Sequence, residues 1–189
     1  MKFIPQSIAD VILIEPTVHD DGRGYFMESF RQDAFEAAIG YKVNFIQDNE
    51  SRSKRGVLRG LHYQLPPYTQ AKLVRVIEGS VLDVAVDIRK SSPTYGKHVA
   101  VELTGDNKNQ LFVPRGFAHG FVVLSSSAIF SYKVDNYYAP EYERGLMYND
   151  TNLRINWVVS DDELVISSKD KNNTLLDKLS YGVNEENFK

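Results

Sequence analysis

His62 stands between two cations in this sequence, Arg59 and Lys72, and the segment that carries it runs Gly56-Val57-Leu58-Arg59-Gly60-Leu61-His62-Tyr63-Gln64. The other residues of that segment are those of a buried strand and a tight turn. A neutral imidazole accepts a proton near pH 7, and flanking cations hold an anionic ligand and stabilise the negative charge left when the proton is removed. The grouping implies an enzyme that acts on a phosphorylated carbonyl compound. On these residues alone, His62 reads equally well as a hydrogen-bonded strand histidine.

The neighbours sharpen this chemistry. Lys72 shares strand parity with Val74 and Val76, so a regular strand turns all three to one apolar face. A buried ammonium without a partner is costly, which favours an anionic ligand or an ion pair; snorkelling from a strand end is the other reading. Arg59 suits a diphosphate, because a guanidinium matches phosphate oxygens in pairs. Strict alternation sets Arg59 and His62 on opposite faces, so a bulge or bend at Gly60 is expected. Asp83 lies on the inner phase of its own strand, as a possible second carboxylate near the base.

These side chains need a scaffold, and the chain suggests one. At 189 residues, 42% hydrophobic and 25% charged, it fits one globular domain spanning 1–189. The net charge of −3 argues against a nucleic-acid binder. Without cysteine there are no disulfides, thiolate catalysis or thiolate metal sites, which fits the cytoplasm. No signal peptide opens the chain and no apolar run approaches the ~18 residues that span a bilayer, so no membrane role is expected.

Val11–Pro16 reads as a strand closed by proline, His19–Gly24 as a turn-rich loop and Tyr25–Phe30 as a returning strand. Gln32–Ile39, followed by Gly40, reads as a helix. Strands are then expected over Lys72–Glu78, Val81–Ile88, Val99–Leu103, Gln110–Val113, Gly120–Leu124 and Ala128–Val134, a rhythm of about 8–12 residues that suits a sandwich or barrel. After Pro140 the chain is polar and irregular, and Thr174–Leu179 reads as a short closing helix. The expected architecture is all-β, a double-sheet jelly-roll barrel with a few short peripheral helices.

Pro114-Arg115-Gly116-Phe117-Ala118-His119 resembles the second motif of the cupins. Their first motif carries a His-x-His pair, where this chain reads His62-Tyr63-Gln64, and the only histidines are 19, 62, 98 and 119. With metal sites generally needing three or more ligands, no bound catalytic metal and no cofactor are expected. Further blocks stand in one order: Asp21-Gly22-Arg23-Gly24-Tyr25-Phe26-Met27-Glu28, Gln47-Asp48-Asn49, Leu58 to Gln64, Lys72, Pro114 to Phe121, and Tyr148-Asn149-Asp150. Together they resemble the dTDP-4-dehydrorhamnose 3,5-epimerases, a family of metal-free cupin jelly rolls, from about Ile12 to Asp170.

That resemblance implies a dTDP-4-keto-6-deoxyhexose substrate inverted at C3 and C5, in dTDP-L-rhamnose biosynthesis. Both carbons lie alpha to the C4 ketone, so each inversion needs a base, an acid on the other face of the ring and a cation near the carbonyl oxygen. By resemblance His62 is the base, Asp170 the carboxylate that orients it, and Tyr132 the proton donor; a phenol with a pKa near ~10 stays protonated at neutral pH. Tyr132 also reads as a core aromatic, and Lys169-Asp170-Lys171 as a solvated charge run. Lys72 becomes the candidate for the enolate oxygen. Tyr138 shares Tyr132's parity and offers a stacking surface where the family often has tryptophan.

His119 resembles a phosphate or sugar contact. Gln47 and Asn49 resemble partners of the thymine or its deoxyribose, and Glu143 and Lys169 further binding contacts. Arg23, Phe26 and Glu28 resemble nucleotide contacts that the family supplies from the neighbouring subunit, which implies a homodimer. Surface or turn roles stay open for these binding residues. The alternatives are an epimerase acting at one carbon only, an epimerase for another nucleotide or sugar, a metal-dependent cupin oxygenase, and a nucleotide-sugar binding protein without catalysis.

Overall fold

The computed structural model describes residues 1–179; positions 180–189 of the expected single domain lie outside the described residues. Fourteen strands are formed among them: β1 Lys2–Pro5, β2 Ile12–Glu15, β3 Val18–Asp21, β4 Gly24–Met27, β5 Gln47–Lys54, β6 Val57–Gln64, β7 Lys72–Glu78, β8 Ser80–Asp87, β9 His98–Thr104, β10 Gln110–Val113, β11 Phe117–Val123, β12 Ser127–Val134, β13 Glu143–Gly145 and β14 Val165–Ile166. One helix, α1, spans Gln32–Ile39 and ends on Gly40 in the left-handed conformation, the expected stop.

Two six-stranded sheets face each other. One has the order β1-β2-β10-β7-β12-β5; the other runs β13-β6-β11-β8-β9, with β14 parallel to β6. This is the all-β jelly-roll barrel of cupin type. Its interior is apolar at one end, where Val74, Val76, Val81, Ala85, Leu111, Phe121 and Phe130 pack together. Outside the first sheet, α1 places Phe35 over Ile12, Ile14, Leu73 and Phe112. Outside the second, Leu58, Val84, Val86, Val122 and Trp157 form a third cluster. The two faces of β7 and β8 thus bury different partners, which is why apolar residues stand on both faces of each strand.

Three expectations about elements need correction. His19–Gly24 is not a loop: β3 and β4 pair from Val18↔Met27 to Asp21↔Gly24, leaving a tight turn at Gly22 and Arg23. The returning strand ends at Met27. Four strands go beyond those expected: β1, the entirely polar β5, and β13 and β14 in the stretch after Pro140 expected to be irregular. The closing helix is a single 3₁₀ turn at Leu176–Lys178. No helix among the described residues is long and apolar enough to cross a membrane.

Candidate active site

The open end of the barrel holds a cavity of ≈ 520 Å³ that touches a second compartment of ≈ 270 Å³. His62, Lys72 and Tyr132 line both, so they stand at the junction. His62 comes from β6 in one sheet; Lys72 and Tyr132 come from β7 and β12, neighbours in the other. The imidazole and the phenol therefore approach the cavity from opposite walls.

A local irregularity lets β6 send both Arg59 and His62 into the larger cavity. His62 pairs with His119 and Arg59 with Phe121, so three steps along β6 face two along β11, a bulge at Gly60 and Leu61. Gly60 has φ +128°, and a Cβ there would lie 2.6 Å from Gly120 Cα. Two facing glycines let the strands close at this point. The bulge expected from the parity conflict is present.

His62 Nε2 lies 2.6 Å from Asp170 Oδ1, and Asp170 is buried. Burial would raise this carboxyl, but the His62 hydrogen bond, His62's charge and Ser167 together hold it below the usual range. An ionised Asp170 can accept a hydrogen bond from His62 Nε2–H, an arrangement that orients the imidazole and leaves Nδ1 free to serve as a base. The 3₁₀ turn Asp170–Asn172 and the bond from Asp170 N to Ser167 Oγ at 3.1 Å fix the carboxylate. Asp170 is thus no part of a solvated run, although Lys169 and Lys171 beside it are exposed.

Lys72 makes no hydrogen bond or ion pair with the described residues. Burial pulls its ammonium down to about 8, against the upward influence of Asp83 and Glu143. Tyr132 is pushed up, mainly by burial and further by Glu143, with Arg59 opposing. It remains a protonated phenol at neutral pH.

Asp83 occupies the inner phase of β8 but serves another partner. Both of its oxygens lie 3.0 Å from His119 Nε2, so it is the carboxylate of His119 rather than a second one beside His62. His119 is itself buried, and burial lowers its pKa against the pull of Asp83. It lines the larger cavity with Arg59, whose Nε donates to Ser53 Oγ at 3.1 Å, and with Lys169.

The smaller compartment gathers Gln47, Asn49, Tyr138 and Glu143. Gln47 Nε2 donates to Asn49 Oδ1 at 2.8 Å. Tyr138 lines this compartment with Tyr132 although β12 ends at Val134, so strand parity is not what places it there. Arg23, Phe26 and Glu28 do not line either compartment. They stand on or beside the β3–β4 hairpin, with Phe26 72% exposed and Arg23 paired, among the described residues, with Asp21.

Gln64 stands in place of a second motif imidazole. Its amide donates to the carbonyls of Tyr68 and Tyr137, at 2.6 and 3.1 Å, and its Oε1 accepts from Ala139 N at 2.7 Å. It ties down the segment before Glu143. Among the described residues no group of three or more His, Asp or Glu is placed to hold a metal ion. The cavity lining the sequence reading missed is that of Glu50, Ser51 and Ser167, with Ser53 behind Arg59. The alternation of β5, with 47, 49, 51 and 53 on one face, is the signal for Ser51 and Ser53; Glu50 and Ser167 carry none.

Comparison with known proteins bears on this geometry. The sequence model of a family described as dTDP-4-dehydrorhamnose 3,5-epimerase matches residues 5–178. A dTDP-4-dehydrorhamnose 3,5-epimerase of Shigella flexneri is 56% identical over 172 residues, 91% of this chain and 94% of that protein. The crystal structure of such an epimerase from Elizabethkingia anophelis NUHP1 superposes with a TM-score of 0.92 at 48% identity, covering 96% of this chain and 99% of that one. The dTDP-6-deoxy-D-glucose-3,5-epimerase of Legionella pneumophila Philadelphia 1, solved in complex with dTDP-4-keto-L-rhamnose, gives 0.91 at 48% identity over 94% of each chain.

Proposed function

The chain belongs to the dTDP-4-dehydrorhamnose 3,5-epimerase family and is an isomerase of nucleotide sugars, and on that premise we propose that it converts dTDP-4-dehydro-6-deoxy-D-glucose into dTDP-4-dehydro-L-rhamnose through the residues around His62. The observation that carries the reading is the His62–Asp170 pair on one wall of a cavity whose other wall presents Tyr132 and Lys72.

Each inversion then runs in two steps. His62 Nδ1 takes the proton from C3 or C5, and Asp170 steadies the imidazolium. The electron pair of the broken C–H bond moves towards the C4 oxygen, giving an enolate beside the Lys72 ammonium. One preorganised donor at such an oxygen is worth roughly 2.7–4 kcal/mol of barrier. Tyr132 delivers its proton to the opposite face of the same carbon, and both groups return to their starting states by exchange with water. General acid–base groups of this kind contribute about 10²–10⁴-fold each.

Arg59, His119 and Lys169 bind the diphosphate and sugar from the larger cavity, and Gln47, Asn49, Tyr138 and Glu143 receive the nucleoside from the smaller compartment. Arg23, Phe26 and Glu28 complete the site of a second copy in a homodimer; support comes from the exposed β3–β4 hairpin, which lies outside both sheets. The enzyme works in the cytoplasm, and residues 1–189 act as one domain.

The test is proton NMR of dTDP-4-keto-6-deoxyglucose incubated with the enzyme in deuterated water. Deuterium at both C3 and C5 is the expected result. Label at a single carbon would reduce the enzyme to a mono-epimerase, and no label at all would refute the assignment of this substrate.

A further inference from the structure

Glu143 lies where three parts of the chain meet. It opens β13, facing Gln64 across the ladder with β6. Its Oε2 accepts a hydrogen bond from Tyr138 Oη at 2.6 Å, and the same oxygen is bonded by Lys169 Nζ. Tyr138 is half exposed at the rim of the smaller compartment, whereas the Glu143 side chain is only 12% exposed. Lys169 immediately precedes Asp170, the residue bonded to His62. No hydrogen bond joins Tyr138 directly to Lys169 among the described residues, so the carboxylate is their link.

We propose that Glu143 is a positioning residue that clamps the rim tyrosine to the turn carrying Asp170, so that what happens at Tyr138 is transmitted to the alignment of the His62–Asp170 pair. This rests on the site reading above and adds to it a coupling between nucleoside seating and proton abstraction. One carboxylate oxygen receiving two donors from separate segments is well suited to the task, because a charged acceptor strengthens both bonds. Moving either donor leaves the other to draw the carboxylate towards itself. The chain of contact is short: Tyr138, Glu143, Lys169, the next peptide bond, Asp170, His62.

The clamp is tested with Tyr138→Phe, which removes only the hydroxyl, and Lys169→Met, which keeps chain length without charge. Each is made in the wild type and in Glu143→Met, which has no acceptor oxygen. Two readouts are taken: amide hydrogen exchange over Asp170–Asn172, and the separate kcat and KM of substrate deuterium uptake. Tyr138→Phe should speed amide exchange in this distant turn and lower kcat. The effects of the two variants on kcat should depart from multiplicativity by a factor of at least about two, the lower end of coupling within one network. In Glu143→Met both the remote exchange effect and the coupling should vanish, and Glu143→Gln, which keeps an acceptor, should restore part of each.

Multiplicative effects in an active enzyme, or coupling that survives in Glu143→Met, would overturn the clamp. So would unchanged amide exchange over 170–172 in Tyr138→Phe. A wild type that moves no substrate hydrogen would remove the functional reading instead, and the amide arm would still decide the clamp.

Discussion

Lys72 offers the clearest single-residue consequence, because its charge is what the proposed enolate needs and its surroundings weaken that charge. With its ammonium brought down to about 8, the neutral amine dominates above that pH. The rate of substrate deuterium uptake should therefore fall as pH rises through about 8. In Lys72→Arg this alkaline limb should move upward, since a guanidinium stays protonated. Lys72→Met should lose the Lys72 contribution at every pH, with kcat lower by about 10²–10³-fold. A wild-type limb retained unchanged in Lys72→Met would assign it to another group. The parity of Lys72 with Val74 and Val76 was legible in the sequence. The true partner of Asp83 was not, because periodicity gives the face of a strand but not which of two histidines on that face lies across from it.

At the scale of the element, the bulge in β6 decides whether Arg59 and His62 serve one cavity. Gly60→Ala puts a Cβ 2.6 Å from Gly120 Cα on a backbone with φ +128°. The cost is of order 1–3 kcal/mol from the strained backbone alone, and a slip of one residue would turn a side chain to the other face. Urea unfolding should show the loss in stability, and kcat should fall by more than that loss explains at temperatures where the variant stays folded. Full activity in Gly60→Ala would show that the bulge does not set the site. The bulge could be read in advance because two residues with evident chemistry demanded it. β5 could not: Gln-Asp-Asn-Glu-Ser-Arg-Ser-Lys shows no apolar alternation, since its inward face lines a polar cavity rather than the core. The apolar strands and α1, with Gly40 behind it, were visible because their burial is written in hydrophobic residues.

For the whole molecule, the proposed homodimer lets the β3–β4 hairpin of one copy complete the site of the other. If Arg23 acts on the partner's site, two inactive variants should rescue each other. Mixing Arg23→Ala with His62→Ala under conditions that exchange subunits places intact Arg23 beside intact His62 in one site of each mixed dimer. About a quarter of wild-type activity is then expected from random pairing in a two-fold dimer. Mixing without any recovery, in a preparation shown to contain mixed dimers, would place Arg23 in its own subunit's site or outside it. The hairpin's expected role came from a resemblance, and a single chain presents those residues only as an exposed ribbon.

In the proposed reaction His62 removes hydrogen from carbon and Tyr132 returns it from the other side. This assignment is tested most directly by following deuterium uptake at C3 and C5 of dTDP-4-keto-6-deoxyglucose in parallel samples of wild type, His62→Ala and Tyr132→Phe, each verified as folded. Wild type should place label at both carbons, His62→Ala nearly none, and Tyr132→Phe should continue proton loss with poor turnover. Wild-type uptake by His62→Ala would contradict the assignment.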